Sequence, residues 1–273
     1  MLHFVNKLLF FCLASCAFLL AVDIPEKPIV VLSTSYNNSK WCEKSIQSIL
    51  IQDYSNYRIV YIDDCSSDGT ADLVENTLIA SNKKSDFILI RNNTRIGSLA
   101  NIYHAIHGYT EDEEIIVSLD GDDWFFDNQV LKKINAAYAS ENIWLTHGTL
   151  IEYPGGHVTW SIPIPKEIVE KNTFRQFRCP SHLRTFYSWL FKKIKLEDLL
   201  YKGSFFPMTG DFAIMFPMIE MAGDRHLFIS DVTYVYNMAN ELNDNKVNAQ
   251  LQRDLDVLLR SRSPYSRLDK SPF

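Results

Sequence analysis

The chain has 273 residues, of which 47% are hydrophobic, 22% charged and 13% aromatic, enough for one sizeable core and too little for three ordinary domains. Lys and Arg total 27 against 33 Asp and Glu, a formal net charge of −6, which excludes a broad basic grip on nucleic acid, so no nucleic-acid partner is expected. Gly and Pro number 10 each and Cys 5, which excludes a disordered, collagen-like or disulfide-dense chain.

Residues 8–22, LLFFCLASCAFLLAV, are almost wholly apolar, follow Lys7 and precede the charged DIPEKP. That layout predicts a signal peptide or a short signal-anchor over residues 1–22, to be left out of the fold. The run is shorter than the roughly 20 residues that span a bilayer, which favours cleavage; membrane association through the segment, or a buried helix, are the alternatives. Two cysteines, Cys12 and Cys16, lie in it. Cys42, Cys65 and Cys179 remain, an odd number without CxxC spacing, so no zinc site or disulfide framework is legible and one bridge among them stays open.

From Ile29 the pattern alternates. PIVVLSTS is a short apolar run ending in the polar cluster Ser33 to Ser39, and residues 40–52 carry Trp41, Ser45, Ile46, Ile49 and Leu50 at helical spacing. YRIVYID is a second strand and ADLVENTLIA its helix; FILI is a third strand, followed by the helical IGSLANIYHAI; IIVSL is a fourth strand. Strands alternating with helices mean βαβ units and a mainly parallel sheet, whose ligands bind beyond the carboxyl ends of the strands. The polar clusters all follow strands, as that rule requires. Further on, WLTHGTLIEY and HVTWSI read as strands joined at Pro154-Gly155-Gly156, Phe186 to Ile194 and Phe212 to Met221 as helices, and VTYVY as a strand. Val247, Leu251, Leu255, Leu258 and Leu259 mark an amphipathic helix over 241–260, and SRSPYSRLDKSPF, from residue 261, reads as a flexible tail.

Two clusters carry chemistry. Asp120-Gly121-Asp122-Asp123, after IIVSL, packs carboxylates that repel one another unless a cation or strong donors neutralise them; hard oxygen ligands favour Mg²⁺ or Mn²⁺. A solvated turn is the alternative. Asp63-Asp64-Cys65-Ser66-Ser67-Asp68-Gly69-Thr70, after YRIVYID, offers carboxylates to a base or ribose, with Ser, Asp and Gly shaping the turn and capping the next helix.

VVLSTSYNNSKWCEKSIQSILIQDY, YIDDCSSDGTADLVE, RNNTRIGSLAN and SLDGDDW, in that order, resemble the family 2 glycosyltransferases, inverting enzymes of the GT-A fold. The resemblance runs from Ile29 to Trp124 and more thinly to Gly223, while the GxGxxG loop of NAD enzymes is absent. It implies an α/β GT-A fold, a mainly parallel central sheet flanked by helices with a smaller, irregular acceptor-side subregion. The catalytic domain would span 29–240, its nucleotide-sugar half 29–125 and its acceptor half 126–240.

It also implies a UDP-sugar donor, a divalent cation on the DXD motif, and a glycan, lipid or protein acceptor. Thr34 and Asp64 match uracil-contacting positions, with Tyr36 and Asn37 in the same loop; Asp120 matches the ribose carboxylate, and Asp122, then Asp123, the metal ligands. Arg95 falls in a region that helps hold the nucleotide. His182-Leu183-Arg184-Thr185-Phe186 resembles a recurrent segment that makes His182 and Arg184 substrate contacts. Asp211, just before the helix of the acceptor-side segment, is the candidate general base, with a plain helix cap as its other reading. An inactive nucleotide- or sugar-binding homologue and a sugar-phosphate nucleotidyltransferase are the competing functions.

The sequons at Asn37 and Asn92 fall in the donor loops and are expected to be unused. Lys7 ahead of the apolar run directs the domain out of the cytosol. That predicts an ER or Golgi lumen for a eukaryotic or viral chain, and a membrane tether for a bacterial one.

Overall fold

The structure, a computed structural model, describes residues 24–81, 87–140, 142–159 and 161–273. The apolar segment 8–22 lies outside them, and among the described residues no helix is long and apolar enough to cross a membrane.

The expected strands form as β1 (Ile29–Ser35), β2 (Tyr57–Asp63), β3 (Phe87–Arg91) and β4 (Ile115–Ser118), all in parallel pairings. Between them run α1 (Cys42–Leu50), α2 (Thr70–Ala80) and α3 (Ser98–Tyr109). The period-two alternation of a strand divides β1 between two cores. Val30 and Leu32 join Leu99, Ile102 and Ile106 of α3, whereas Ile29 and Val31 join Ile46 and Ile49 of α1 and Val74 of α2. Each such aliphatic side chain stabilises the fold by about 1.5–3 kcal/mol through burial, so the sheet is fixed from both faces and its carboxyl edge is held in place.

The second half extends the sheet to eight strands in the order β3-β2-β1-β4-β7-β6-β10-β5. β5 (Trp124–Phe125), β6 (Leu145–Tyr153), β7 (Arg184–Tyr187) and β10 (His226–Asn237) supply it, and a small separate ladder joins β8 (Leu200–Tyr201) to β9 (Ser204–Phe205). α4 (Val130–Ala137) and α5 (Lys166–Lys171) fill stretches in which no element was predicted. α7 (Gly210–Ala222) forms over its expected span and is buried from Ala213 to Ala222, so only its first turn opens to the cleft. The final helix is α8 (Asp244–Ser261).

Three expectations are corrected. The helix predicted from Phe186 is instead the strand β7 followed by the single turn α6 (Ser188–Phe191). Thr185 of β7 meets Tyr138 Oη at 2.9 Å and Thr146 Oγ1 at 2.6 Å, and Phe186 is fully buried. A strand between β4 and β6 satisfies these groups together. Around Pro154-Gly155-Gly156 the chain does turn, but residues 157–162 give only the bridge Ile151–Val158 among the described residues, not a sheet strand. The segment after Ser261, expected to be flexible, is docked. Tyr265 donates its backbone N–H to Glu220 Oε2 at 2.9 Å and its hydroxyl to Asp198 Oδ2 at 2.5 Å, and the Leu268 N–H reaches Met221 O at 2.9 Å. The three described cysteines, Cys42, Cys65 and Cys179, are free thiols.

Candidate active site

β1, β2 and β4 end at one edge of the sheet, and β7 runs antiparallel to β4 with Arg184 opposite Ser118. The start of β7 therefore stands at the same edge as the carboxyl ends of the other strands. The loops there are tied to one another: Asp64 N–H donates to Ser35 O at 2.8 Å and Gly121 N–H to Thr34 O at 3.0 Å. Gly121 is required by this approach, because a Cβ on it would lie 2.6 Å from Ser35 Cβ and 2.9 Å from Thr34 O.

Asp64 is buried and accepts N–H donors from Ile96, Gly97 and the Asn92 amide, each at 2.9 Å. Burial acts to raise its pKa, but those hydrogen bonds outweigh it and hold the carboxyl below the usual range. Arg95 is nearby and open, its guanidinium 3.9 Å over the Tyr36 ring and its Nε 4.0 Å from Asp64 Oδ2. Thr34 Oγ1 meets Ser98 Oγ at 2.8 Å. Asn37 sits at φ 50° and its Oδ1 accepts from Ser67 N–H at 2.9 Å, locking the first two strand-end loops together. The Asn92 amide donates to both Asp64 and Asn101, so a glycan on that sequon would break the loop.

In the acidic turn the carboxylates part company. Asp123 is 1% exposed; its Oδ2 accepts from Tyr234 Oη at 2.5 Å and its Oδ1 from Asn237 N–H at 2.7 Å. Both oxygens are thus engaged by β10, which makes Asp123 the tie between the turn and the sheet. Asp122 Oδ2 accepts from Asn240 Nδ2 at 2.6 Å. Asp120 is pushed up to about 7 by burial and then by the Asp122 charge, against a lowering from Arg184. Burial raises Asp122 as well.

This donor set suits a hard divalent cation: carboxylate oxygens of Asp122 and Asp120, mutually repelling, with no thiol or imidazole among them. No group of three or more His, Cys, Asp or Glu at ligand spacing exists among the described residues. Mg²⁺-type sites usually take one or two carboxylates and fill the rest with phosphate and water, so the pair fits.

Asp211 lies in the first turn of α7, and its Oδ2 accepts from Arg184 Nη2 at 2.7 Å. Its side chain is 30% exposed against 12% for Arg184, so the arginine forms the wall and the carboxylate faces the opening. Arg184 Nε donates to Pro180 O at 2.9 Å, which fixes the fork. The His182 ring stacks on Tyr234 at 4.4 Å and stands beside Arg184, with Nδ1 3.4 Å from Nη1. Burial and the Arg184 charge push its pKa well down, so it is a neutral ring in the wall. Three side chains at this site were not read from the sequence. Asn237 ends β10 and Asn240 lies in the polar stretch just after it, whose several asparagines were the available signal. Asp244, at the start of α8, is exposed as a whole residue, yet its carboxyl is pushed up by partial burial and by Asp211.

A mainly parallel sheet flanked by helices, with an acidic turn at its carboxyl edge and the Arg184-held Asp211 near it, defines a GT-A type of protein. The Glycosyl transferase family 2 model matches residues 30–200, and the chain belongs to that family. Over 106 residues, 39% of this chain and 37% of the other, it is 31% identical to EpsE of Bacillus subtilis (strain 168), named as a glycosyltransferase. Over 50 residues, 18% and 20% of the two chains, it is 38% identical to TuaG of the same organism, named as a teichuronic acid biosynthesis glycosyltransferase. These matches cover well under half of either relative. The crystal structure of S. aureus TarS 1–349 shares the fold at TM-score 0.58 and 16% identity, over 77% of this chain and 60% of that one. The mannosyltransferase PcManGT from Pyrobaculum calidifontis, in complex with GDP-Man and Mn²⁺, does so at 0.59 and 17%, over 86% and 63%.

Proposed function

We propose that the chain is an inverting glycosyltransferase that moves a hexose from a UDP-sugar to an acceptor hydroxyl, with Mn²⁺ or Mg²⁺ bound. The observation that carries this reading is the nearness of two carboxylate sites: Asp120 of the acidic turn lies within reach of the charges of Arg184 and Asp211, and Arg184 holds Asp211 at 2.7 Å. Family membership and the nucleotide-sugar complexes of TarS with UDP-GlcNAc and of PcManGT support it.

On this reading Thr34 and Asp64 meet the base, with Tyr36 and Asn37 shaping their loop, Asp120 meets the ribose and Arg95 the diphosphate. Asp122, with Asp120 beside it, would hold the cation. Once bound, the cation supplies positive charge against the diphosphate as it departs. Asp211, oriented by Arg184 through Oδ2, uses Oδ1 to take the acceptor hydroxyl proton while that oxygen bonds to the anomeric carbon. The bond from that carbon to the diphosphate oxygen breaks in the same displacement, so the anomeric configuration inverts and no covalent sugar forms on the protein. A hydroxyl of a growing glycan is the acceptor that the naming of TuaG supports. Residues 1–22 would deliver or tether this domain at a membrane-bounded compartment supplied with UDP-sugars.

The test is UDP release from a panel of UDP-sugars in the presence of Mn²⁺. The native chain should turn over at least one donor, and Asp211→Asn should lower turnover about 10²–10⁴-fold with UDP affinity unchanged. No turnover of any donor by the native chain, or full turnover by the variant, would overturn the assignment.

A further inference from the structure

A cavity of about 260 Å³ is lined by His147 of β6, Thr159, Ser161, Phe177, Cys179 and Ser181, among others, and Cys179 in its wall lies close enough to feel the charges of Asp211 and Arg184. Its wall at 177–181 leads straight into His182 and Arg184. Pro180 O, in that wall, accepts from Arg184 Nε at 2.9 Å, and the same guanidinium holds Asp211 at 2.7 Å. One side chain therefore joins the cavity to the candidate base.

His147 gives the cavity its chemistry. It is 2% exposed, and its Nε2 has no hydrogen-bond partner among the described residues. An unpartnered buried polar atom costs about 1–3 kcal/mol, so a site that keeps one is built to receive a group. The ring is fixed by packing, 5.3 Å from Phe228 and 5.8 Å from His226 between centroids. Burial pushes its pKa down to about 3, so at neutral pH it is uncharged. A neutral imidazole nitrogen is either a donor or an acceptor depending on tautomer. A hydroxyl satisfies both cases, whereas a carboxylate or phosphate satisfies only one and finds no charge on the ring. Thr159 Oγ1 and Ser161 Oγ, 3.3 Å apart, add two more hydroxyl partners, and Phe177 adds an aromatic surface for C–H faces. Arg178 also lines the cavity and is itself engaged, and none of the lining residues is acidic. The volume lies just below the roughly 300–1,000 Å³ of sites for drug-sized ligands, which suits a single pyranose ring.

We propose that this cavity is an acceptor subsite seating one neutral sugar ring of the acceptor, with His147 Nε2 bonded to a ring hydroxyl. The proposal rests on the glycosyl-transfer reading, since it needs Asp211 as the neighbouring base. The ring held against 177–181 presents its next hydroxyl towards Asp211, and cavity shape, not the donor loops, selects the acceptor.

Saturation-transfer NMR on the full chain tests it, with the methyl α- and β-pyranosides of glucose, galactose, mannose and N-acetylglucosamine as probes. At least one should receive saturation from the native protein. His147→Phe keeps the ring shape and removes the nitrogen, and should weaken that glycoside about fivefold or more. Ser161→Trp fills the half-buried rim and should abolish the signal. UDP titrated into the same samples should bind all three proteins alike, which verifies folding and reads the donor half separately. No signal from any probe with the native chain, or a signal that survives either substitution at full strength, overturns the subsite. Failure of UDP to bind while the glycoside signal behaves as expected would count against the donor reading and leave the subsite standing.

Discussion

Burial decides the charge of His147, and that gives stability a pH dependence. Its folded pKa of about 3 lies below the ordinary 6.5, so between those values the unfolded chain binds a proton that the folded chain does not. The stabilisation is complete above pH 6.5 and is lost as pH falls, at about 1.4 kcal/mol per pH unit for one group. His147→Phe should therefore lose stability less steeply than the native chain between pH 6.5 and 5, in urea titrations at several pH values; equal slopes would contradict the burial argument. Asp64 has the same sign in a lower window, because its depressed pKa makes its contribution complete above the ordinary carboxylate range and lost below it. Asp64, Asp120 and Asp122 stand out in the sequence because they follow strands, and the structure puts them at the carboxyl edge of the sheet. The tie that Asp123 makes to β10 was not legible, since its partners Tyr234 and Asn237 are 111 and 114 residues away in sequence.

At the scale of elements, α7 is held by a buried ion pair. Arg175 Nε and Nη2 donate to Glu220 at 2.6 and 3.0 Å, and both residues are buried. The docked segment after α8 completes this arrangement, because the Tyr265 N–H takes Glu220 Oε2. Glu220→Leu leaves the guanidinium buried without its anion and should cost about 3–5 kcal/mol. Tyr265→Phe, which loses the hydroxyl's bond to a partly exposed Asp198 and the one it accepts from the exposed Lys195 N–H, should cost less, about 1–2 kcal/mol. Urea denaturation of both variants checks the ranking, and an equal cost for the two would contradict it. The residues after Ser261 were read as flexible because they are polar and basic, a composition that says nothing of Tyr265 and Leu268 finding docking sites on α7. β7 was read as helix for a related reason: Phe186, Trp189, Leu190, Phe191 and Ile194 are apolar throughout, and such a run has no clear period.

For the molecule as a whole, the division between legible and illegible follows the chain. Through β4, neighbouring strands are joined by single helices, so local periodicity and the parallel-sheet rule give both the fold and the ligand-binding edge. Beyond it, β7 inserts between β4 and β6, and β5 pairs with β10 from more than a hundred residues away, which no local pattern announces. The strand-end loops could accordingly be placed at that edge from the sequence, whereas the His147 cavity was visible only once β6 and the 177–181 segment had met. The cleft between these halves is proposed to work only with a divalent cation held by Asp122. The most direct measurement is UDP release from the preferred UDP-sugar with Mn²⁺, after EDTA, and in Asp122→Ala with Mn²⁺. Chelation and the substitution should each lower turnover at least about 100-fold, with Mn²⁺ restoring the native chain and not the variant. Undiminished turnover after EDTA, or in Asp122→Ala, would contradict the assignment of this cleft.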